Sequence, residues 1–242
     1  MHSNNNNLIK NTISKVLDQV SFYSHEPSFS YFIDRNLAEI AVKLVKKEYK
    51  KLNFKISGGI EGLERVIIGV SEKKVEEKDF PIIAVKFVYD KYGRVNHREI
   101  LGTILGNGID RNRIGDILIF EDYCIVFTLK SLKDAIVSID RIGKYNVSAE
   151  ITDSRDLFIP LQNYIEKTIS RTDAKLTSII ASAFNISKTS AKELLKNKKI
   201  KINGLEVKKE ANLNEKSSIT VRGFGRITIQ EIGDNIKLHI YG

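Results

Sequence analysis

Lys188, Lys192 and Lys196 stand four residues apart along the chain. On a helix that spacing stacks them on one face, where like charges repel by about 0.2–0.5 kcal/mol per pair. Lys188 then sits in the first turn, where the helix dipole disfavours a cation by roughly 0.3–1 kcal/mol. Between residues 188 and 197 only Glu193 offers compensation. Electrostatic contact with phosphates is the chemistry such a row suits, and Lys198, Lys199 and Lys201 extend it. A lysine row is more often a solvated helix face, so its surroundings have to decide between the two.

Positive charge is concentrated around this row. The 242 residues carry 39 Lys and Arg against 30 Asp and Glu, a net charge of +9. From residue 171 onward the count is 14 against 7, which leaves 25 against 23 for the first 170 residues. A basic segment of that kind points to a polyanionic partner. Arg222 and Arg226 bracket Gly223-Phe224-Gly225, a turn whose glycines allow close backbone approach. Phe224 there can stack on an unpaired base or fill the core. Upstream, Arg98, Arg111 and Arg113 surround Gly106 and Gly108, which read as a glycine-ended helix and not as a dinucleotide fingerprint.

The sequence offers no catalytic constellation. His2, His25, His97 and His239 lack metal-ligand spacing, and the single Cys124 supplies neither a zinc knuckle nor an internal disulfide. No Gly-x-Ser-x-Gly elbow, Walker loop or His-Glu-x-x-His helix occurs. His97-Arg98-Glu99 could in principle hold an acid–base group, but adjacent side chains diverge and a helix start suits them better. The expectation is a protein with no catalytic residues, no metal, no cofactor and no small-molecule substrate. Hydrophobic residues at 42% and charged residues at 29% are ordinary for a soluble globular chain. No apolar run reaches membrane-spanning length, and the Asn-rich residues 1–7 carry no export pattern. A cytoplasmic protein is expected, with Cys124 reduced and packed in a strand.

These side chains must be positioned by elements that the hydrophobic pattern reveals. Residues 1–7 have nothing to bury and are expected to be disordered. Helical patterns follow at 8–23 and from Asp34, an N-cap, with Leu37, Ala41, Leu44, Val45 and Leu52 recurring at three- and four-residue steps. Short β runs at 54–56 and 66–70 flank Gly58 and Gly59. Next come a strand at 82–89, a helix at 98–105, strands at 116–120 and 123–128, a helix at 132–142 and a strand at 146–151. That β-α-β-β-α-β order is the ferredoxin-like arrangement, shared by many RNA-recognition domains and many unrelated ones. After Pro160, Asp173 is placed to cap a helix bearing Leu176, Ile179, Ile180, Ala183 and Phe184. Ser187 caps a second helix ending near Asn197, with Ala191, Leu194 and Leu195 inward. Asn203-Gly204 marks a hairpin between 200–202 and 205–207. Strands at 218–222, 226–232 and 236–241 close the chain.

The helix pair and hairpin resemble the S4 RNA-binding domain. Lys175-Leu176-Thr177, Ser187-Lys188, Ala191, Leu194-Leu195 and Ile200-Lys201-Ile202-Asn203-Gly204 keep that family's spacing. Lys stands for Arg at 175 and 188, Thr177 for an Asp that orients the basic cluster, and Lys198 for Gly. The two lysines keep charge and lose the bidentate fork. Upstream, Gly58-Gly59, Glu64-Arg65, the stretch from His97 to Gly102, Leu105-Gly106, Gly108-Ile109, Arg111, and Ile114 to Ile117 look like the YlmH-type S4 proteins. Val221-Arg222-Gly223-Phe224-Gly225-Arg226 is similar to their late Arg-Gly-x-Gly-Arg stretch.

The resemblance implies an α+β protein in three parts: a helical N-terminal unit with short strands at 1–75, a ferredoxin-like (RRM-like) RNA-binding domain at 76–160, and an S4 domain of two helices on a small antiparallel sheet at 168–242. It implies RNA (rRNA and/or tRNA) and the large ribosomal subunit as partners, and a part in ribosome-associated quality control of stalled peptidyl-tRNA. The RNA-binding residues expected are Arg171, Lys175, Ser187, Lys188, Lys192, Lys196, Lys198, Lys199, Lys201, Asn203, Arg222, Phe224 and Arg226, with Arg98, Arg111 and Arg113 in the middle domain. An S4-containing RNA-modifying enzyme or a cell-division scaffold are the alternatives. The enzyme would need a catalytic domain of its own.

Overall fold

The computed structural model describes residues 14, 18, 26–89, 95–153, 157, 164–171 and 174–241. The predicted helix at 8–23 and the capping role of Asp173 lie outside the described residues, save that the Asp18 N–H donates to the Ser14 carbonyl at 2.8 Å. The fold mixes helix and sheet in two compact units, Met1–Pro160 and Leu161–Gly242.

In the first unit, helix α1 (Arg35–Glu48) starts where the Asp34 carboxylate accepts the N–H groups of Asn36 and Leu37. Its buried positions Ala38, Ala41 and Val45 lie on Val66, Ile68 and Val70 of β4 (Arg65–Ser71). Leu44, expected in that stripe, is 43% exposed. Leu52 lies beyond the helix end and packs against its core from outside. Strand β4 pairs with β1 (Ser28–Phe29), β2 (Ile33–Asp34) and β3 (Asn53–Ser57). Because β4 also buries Ile67 on its other face against Phe32, Val75 and Phe80, its sequence is a continuous apolar run and not an alternation.

The second sheet of this unit is built from β5 (Ile82–Tyr89), α2 (His97–Gly106), β6 (Ile114–Ile119), β7 (Tyr123–Leu129), α3 (Lys133–Val137), β8 (Arg141–Ile142) and β9 (Tyr145–Thr152). Its strands are ordered β6-β7-β5-β9-β8 and every pair is antiparallel. Ile100, Ile104 and Ile136 from the two helices meet Val85, Phe87, Cys124 and Val126. On the opposite face Ile125 and Phe127 are covered by Leu63 and Ile60. The helix expected at 132–142 is far shorter. A 3-10 turn at Lys130–Leu132 leads into α3, and residues 141–142 instead form β8, returning through Gly143 (φ 58°) into β9.

The second unit packs helices α4 (Leu176–Ala183) and α5 (Lys188–Lys196) on one face of a six-stranded antiparallel sheet. The strands are β10 (Ile165–Ser170), β11 (Ile200–Ile202), β12 (Leu205–Glu206), β13 (Ser218–Val221), β14 (Gly225–Ile232) and β15 (Asn235–Tyr241), in the order β10-β15-β14-β13-β11-β12. Asn203 and Gly204 both take positive φ, 49° and 76°, which a two-residue turn of type I′ requires. Strand β10 was not read from the sequence. Its middle position, Lys167, reaches the Ser182 carbonyl at 2.5 Å and Asn185 Oδ1 at 3.1 Å, placing a cation at the C-terminal end of α4.

Candidate nucleic-acid interface

Helix α5 begins at Ser187, whose Oγ accepts the Ser190 N–H at 2.9 Å. Ala191 and Leu195 are buried and Leu194 packs beside them, so the opposite side of the helix faces solvent. Lys188, Lys192 and Lys196 are all exposed.

The end of α5 continues that basic surface. The Lys198 N–H donates to the Leu195 carbonyl at 3.2 Å and the Lys199 N–H to the Leu194 carbonyl at 2.9 Å, the two bonds of a Schellman ending. Lys198 holds φ 56° there, in the left-handed region that costs a residue with a Cβ about 1–2 kcal/mol. A family glycine fits this position without strain, and the chain carries an exposed lysine instead.

Arg222 is brought to the same place by its backbone, whose N–H donates to the Lys199 carbonyl at 2.9 Å. The turn beyond it is closed by the Phe224 N–H on the Val221 carbonyl at 3.0 Å. Phe224 is 40% exposed, with its ring 5.5 Å from that of Phe184 at 45°. It is therefore partly packed and partly offered to solvent. Lys201 is exposed on β11, whereas Asn203 turns inward, its Oδ1 accepting the Ser218 N–H at 2.8 Å. Asn203 holds the hairpin in register.

At the start of α4 the Thr177 hydroxyl donates to a carboxylate oxygen of Glu210, and the Thr177 N–H faces both carboxylate oxygens at 3.4 Å. Glu210, from the segment after β12, thus puts a carboxylate at the start of α4. A negative charge at a helix N-terminus is favourable. Arg171, Lys175 and Glu210 line an open cleft of about 550 Å³ floored by Ile179, Ile229 and Ile236. Arg171 also donates to the Gly233 carbonyl at 3.3 Å.

In the first unit the three predicted arginines separate. Arg98 is exposed on the first turn of α2. Arg111 donates through Nη1 to the carbonyls of Ile114 and Gly115, at 2.7 and 3.4 Å. Arg113 lies half-buried, its guanidinium 5.6 Å from the Tyr31 ring centroid. Both of these arginines belong to a joint between the two sheets. There Arg65 donates to the carbonyls of Ile114, Phe32 and Arg111 at 2.9, 3.0 and 3.3 Å. Asp116 Oδ2 accepts the N–H groups of Glu64 and Arg65 at 2.7 and 2.9 Å. Burial, with Arg111 next to it, lowers the Arg65 pKa to about 10. Burial also raises the Asp116 carboxyl above its ordinary value, against the Arg65 N–H and the Arg65 and Arg111 charges.

His97-Arg98-Glu99 forms the first turn of α2, the helix start preferred for it over an acid–base role. Asn96 Oδ1 accepts the Glu99 N–H, and Glu99 Oε2 accepts the Asn96 N–H, both at 3.0 Å. Gly108, at φ 79°, follows the helix end at Asn107. Among the described residues no group of three or more His, Cys, Asp or Glu is placed to hold a metal, and no helix is long and apolar enough to cross a membrane.

A second basic run lies in the first unit. Residues 43–55 hold six lysines, Lys43, Lys46, Lys47, Lys50, Lys51 and Lys55, against Glu48. Its density is local, because acidic residues elsewhere balance the charge of the first 170 residues.

Comparison with known proteins places these features in context. Residues 75–156 match a family model described as the putative RNA-binding domain in YlmH. The chain is 30% identical over 186 residues to the Ribosome-associated protein quality control protein P2 of Bacillus subtilis (strain 168), a match covering 75% of this chain and 72% of that one. Among solved structures it is similar in fold to the cell division protein ylmH from Streptococcus pneumoniae, with a TM-score of 0.52 and 23% identity. That match covers 62% of this chain and 92% of the other.

Proposed function

The chain belongs to the YlmH-type family of ribosome-associated quality-control proteins, and on that premise we propose that it binds the RNA of the large ribosomal subunit or its tRNA through the second unit, without catalysis. The second unit is read as an S4 domain and the five-stranded sheet of the first as a ferredoxin-like RNA-binding domain. Stalled peptidyl-tRNA on the large subunit is the substrate class this reading assigns, in the cytoplasm.

One observation carries the proposal: cations from two segments, Lys198 and Lys199 after α5 and Arg222 after β13, are fastened together beside the exposed row Lys188, Lys192 and Lys196. Protein-side folding forces favour separating such charges, whereas a phosphate backbone favours gathering them. Lys175 and Arg171 extend the surface, Lys201 adds a cation on the outer face of the sheet, and Ser187 and Asn203 hold the elements in place. Arg98 is the contact assigned to the first unit, while Arg111 and Arg113 secure the segment that precedes β6. The sheet face opposite α2 and α3 is covered over Ile125 and Phe127, so the contact made by that domain is assigned to its rim.

Cosedimentation with ribosomes tests the reading. The protein should pellet with large subunits, dissociate with rising salt, and be released by nuclease. Failure to associate with either ribosomes or tRNA, at low salt, overturns it.

A further inference from the structure

The face of the six-stranded sheet turned away from α4 and α5 carries an ordered row of side chains. Pairing registers set Lys201 opposite Thr220, Thr220 opposite Arg226, and Arg226 opposite Tyr241. Residues directly opposite in antiparallel strands point to one face. Their chain neighbours Ile200, Ile219, Val221, Ile227 and Ile240 all enter the core, so the row lies on the outer side. With strands about 4.8 Å apart, it spans roughly 14 Å.

An aromatic cluster ends the row. The Tyr164 ring stacks on His239 with centroids 3.8 Å apart and 14° between planes, and it tilts against Tyr241 at 5.9 Å. The Arg226 guanidinium lies 4.5 Å from the Tyr241 ring centroid. Glu166 Oε2, 3.5 Å from His239 Nε2, is the acid beside the cluster. Despite this packing Tyr164 remains 49% exposed. Burial of apolar area does not account for an aromatic stack left open at the surface beside Arg226, with Lys201 at the far end of the row.

The open Tyr164 ring, with Arg226 against the half-buried Tyr241 ring beside it, matches the two parts of a single strand, its phosphates and its unstacked bases. A duplex offers only the first, since its bases are stacked inside. We propose that this sheet face is a stacking platform for unpaired bases of single-stranded RNA, received by Tyr164 and Tyr241, with Lys201 and Arg226 holding the backbone. This inference rests on the RNA-binding reading above and adds to it a ligand class and a surface separate from the lysine face of α5.

The test uses the full chain and two probes, a single-stranded oligouridine carrying one 2-aminopurine and an RNA duplex with the same number of phosphates. Affinity is read by anisotropy at fixed salt for the parent, for Tyr164→Ala with Tyr241→Ala, and for Tyr164→Phe with Tyr241→Phe. Circular dichroism reports whether each folds. The alanine pair should weaken oligouridine binding about tenfold or more and leave the duplex unchanged. The phenylalanine pair should keep parental affinity, and quenching of 2-aminopurine on binding should vanish only with alanine.

Equal loss toward both probes, or no loss toward either, overturns the platform while leaving RNA binding intact. So does loss of ribosome association by the alanine pair with oligouridine affinity unchanged, which makes the face a protein contact. If the alanine pair misfolds, the phenylalanine pair decides by itself: quenching and affinity like the parent's support the platform, and absent quenching overturns it. A parent chain that binds neither probe sinks the RNA-binding reading as well.

Discussion

The Arg222 N–H donates to the Lys199 carbonyl at 2.9 Å, joining two basic segments that lie 23 residues apart in sequence. Through this one backbone bond the Schellman ending of α5 and the β13–β14 turn share a surface. Backbone geometry places the cations there.

Lys198 is where this placement costs stability. Its φ of 56° is one that glycine adopts freely, so Lys198→Gly should stabilise the second unit by about 0.5–1 kcal/mol, after allowing for glycine's extra freedom when unfolded. The same change should weaken RNA binding and flatten its salt dependence. Urea denaturation and a salt titration measure the two effects, and a variant both less stable and unaltered in binding contradicts the assignment.

Glu210 should matter to stability through α4. Glu210→Ala removes the partner of the Thr177 hydroxyl and the charge at the helix start, and should cost roughly 0.5–2 kcal/mol. The loss is to be measured by chemical denaturation; a change below a few tenths of a kcal/mol would mean that the contact is not maintained in solution.

Asp116 and Arg98 should behave in opposite ways. Asp116→Ala strips the partner from two backbone N–H groups and removes an acid that faces Arg65 and Arg111, leaving Asp34 to act on Arg65, so the first unit should lose about 3 kcal/mol. Arg98→Ala changes an exposed residue and should alter stability by no more than about 0.5 kcal/mol, while lowering RNA affinity. Comparable destabilisation by the two would argue against the joint as described.

Cys124 supplies a prediction in pH. Burial pushes its thiol up to about 11, from an ordinary 9.0. An acid held more tightly protonated when folded contributes stability that is fully present below the unfolded value and is lost as pH rises through the folded one. Native protein should thus resist thiol alkylation at pH 8 and react only once urea unfolds it. Rapid labelling of the folded chain would show that the strand opens or that the thiol is exposed.

Much of the site could be read from the sequence because its signals are local. Ser187 as a cap, the 188, 192 and 196 spacing, and Asn203-Gly204 each specify their conformation within a few residues, and Asp34 does the same for α1. What could not be read depends on distant partners. Nothing near residue 177 reveals that Glu210, 33 positions on, meets its hydroxyl. Arg111 looks like any exposed arginine until the carbonyls of Ile114 and Gly115 are in place around it. Strand β10 escaped because Ile169 is the one buried apolar residue of its inward row: Lys167 occupies the middle position, and Ile165 is 70% exposed. The short α3 was overextended because Ile139 and Ile142 continue a helical spacing while being buried from a turn and from β8. The row formed by Lys201, Thr220, Arg226 and Tyr241 exists only after four strands are set in register.

The central claim, that the cationic face of the second unit grips RNA phosphates, is tested most directly by a salt titration of Lys188→Gln, Lys192→Gln and Lys196→Gln made together. These side chains are exposed, so fold and unfolding midpoint should be kept. Plotted as log affinity against log salt for ribosomal RNA, the parent should give a steep straight line. If each lysine contacts one phosphate, the triple variant should give a slope shallower by about 2, with markedly weaker binding at low salt. An unchanged slope and affinity in a folded triple variant would contradict the account.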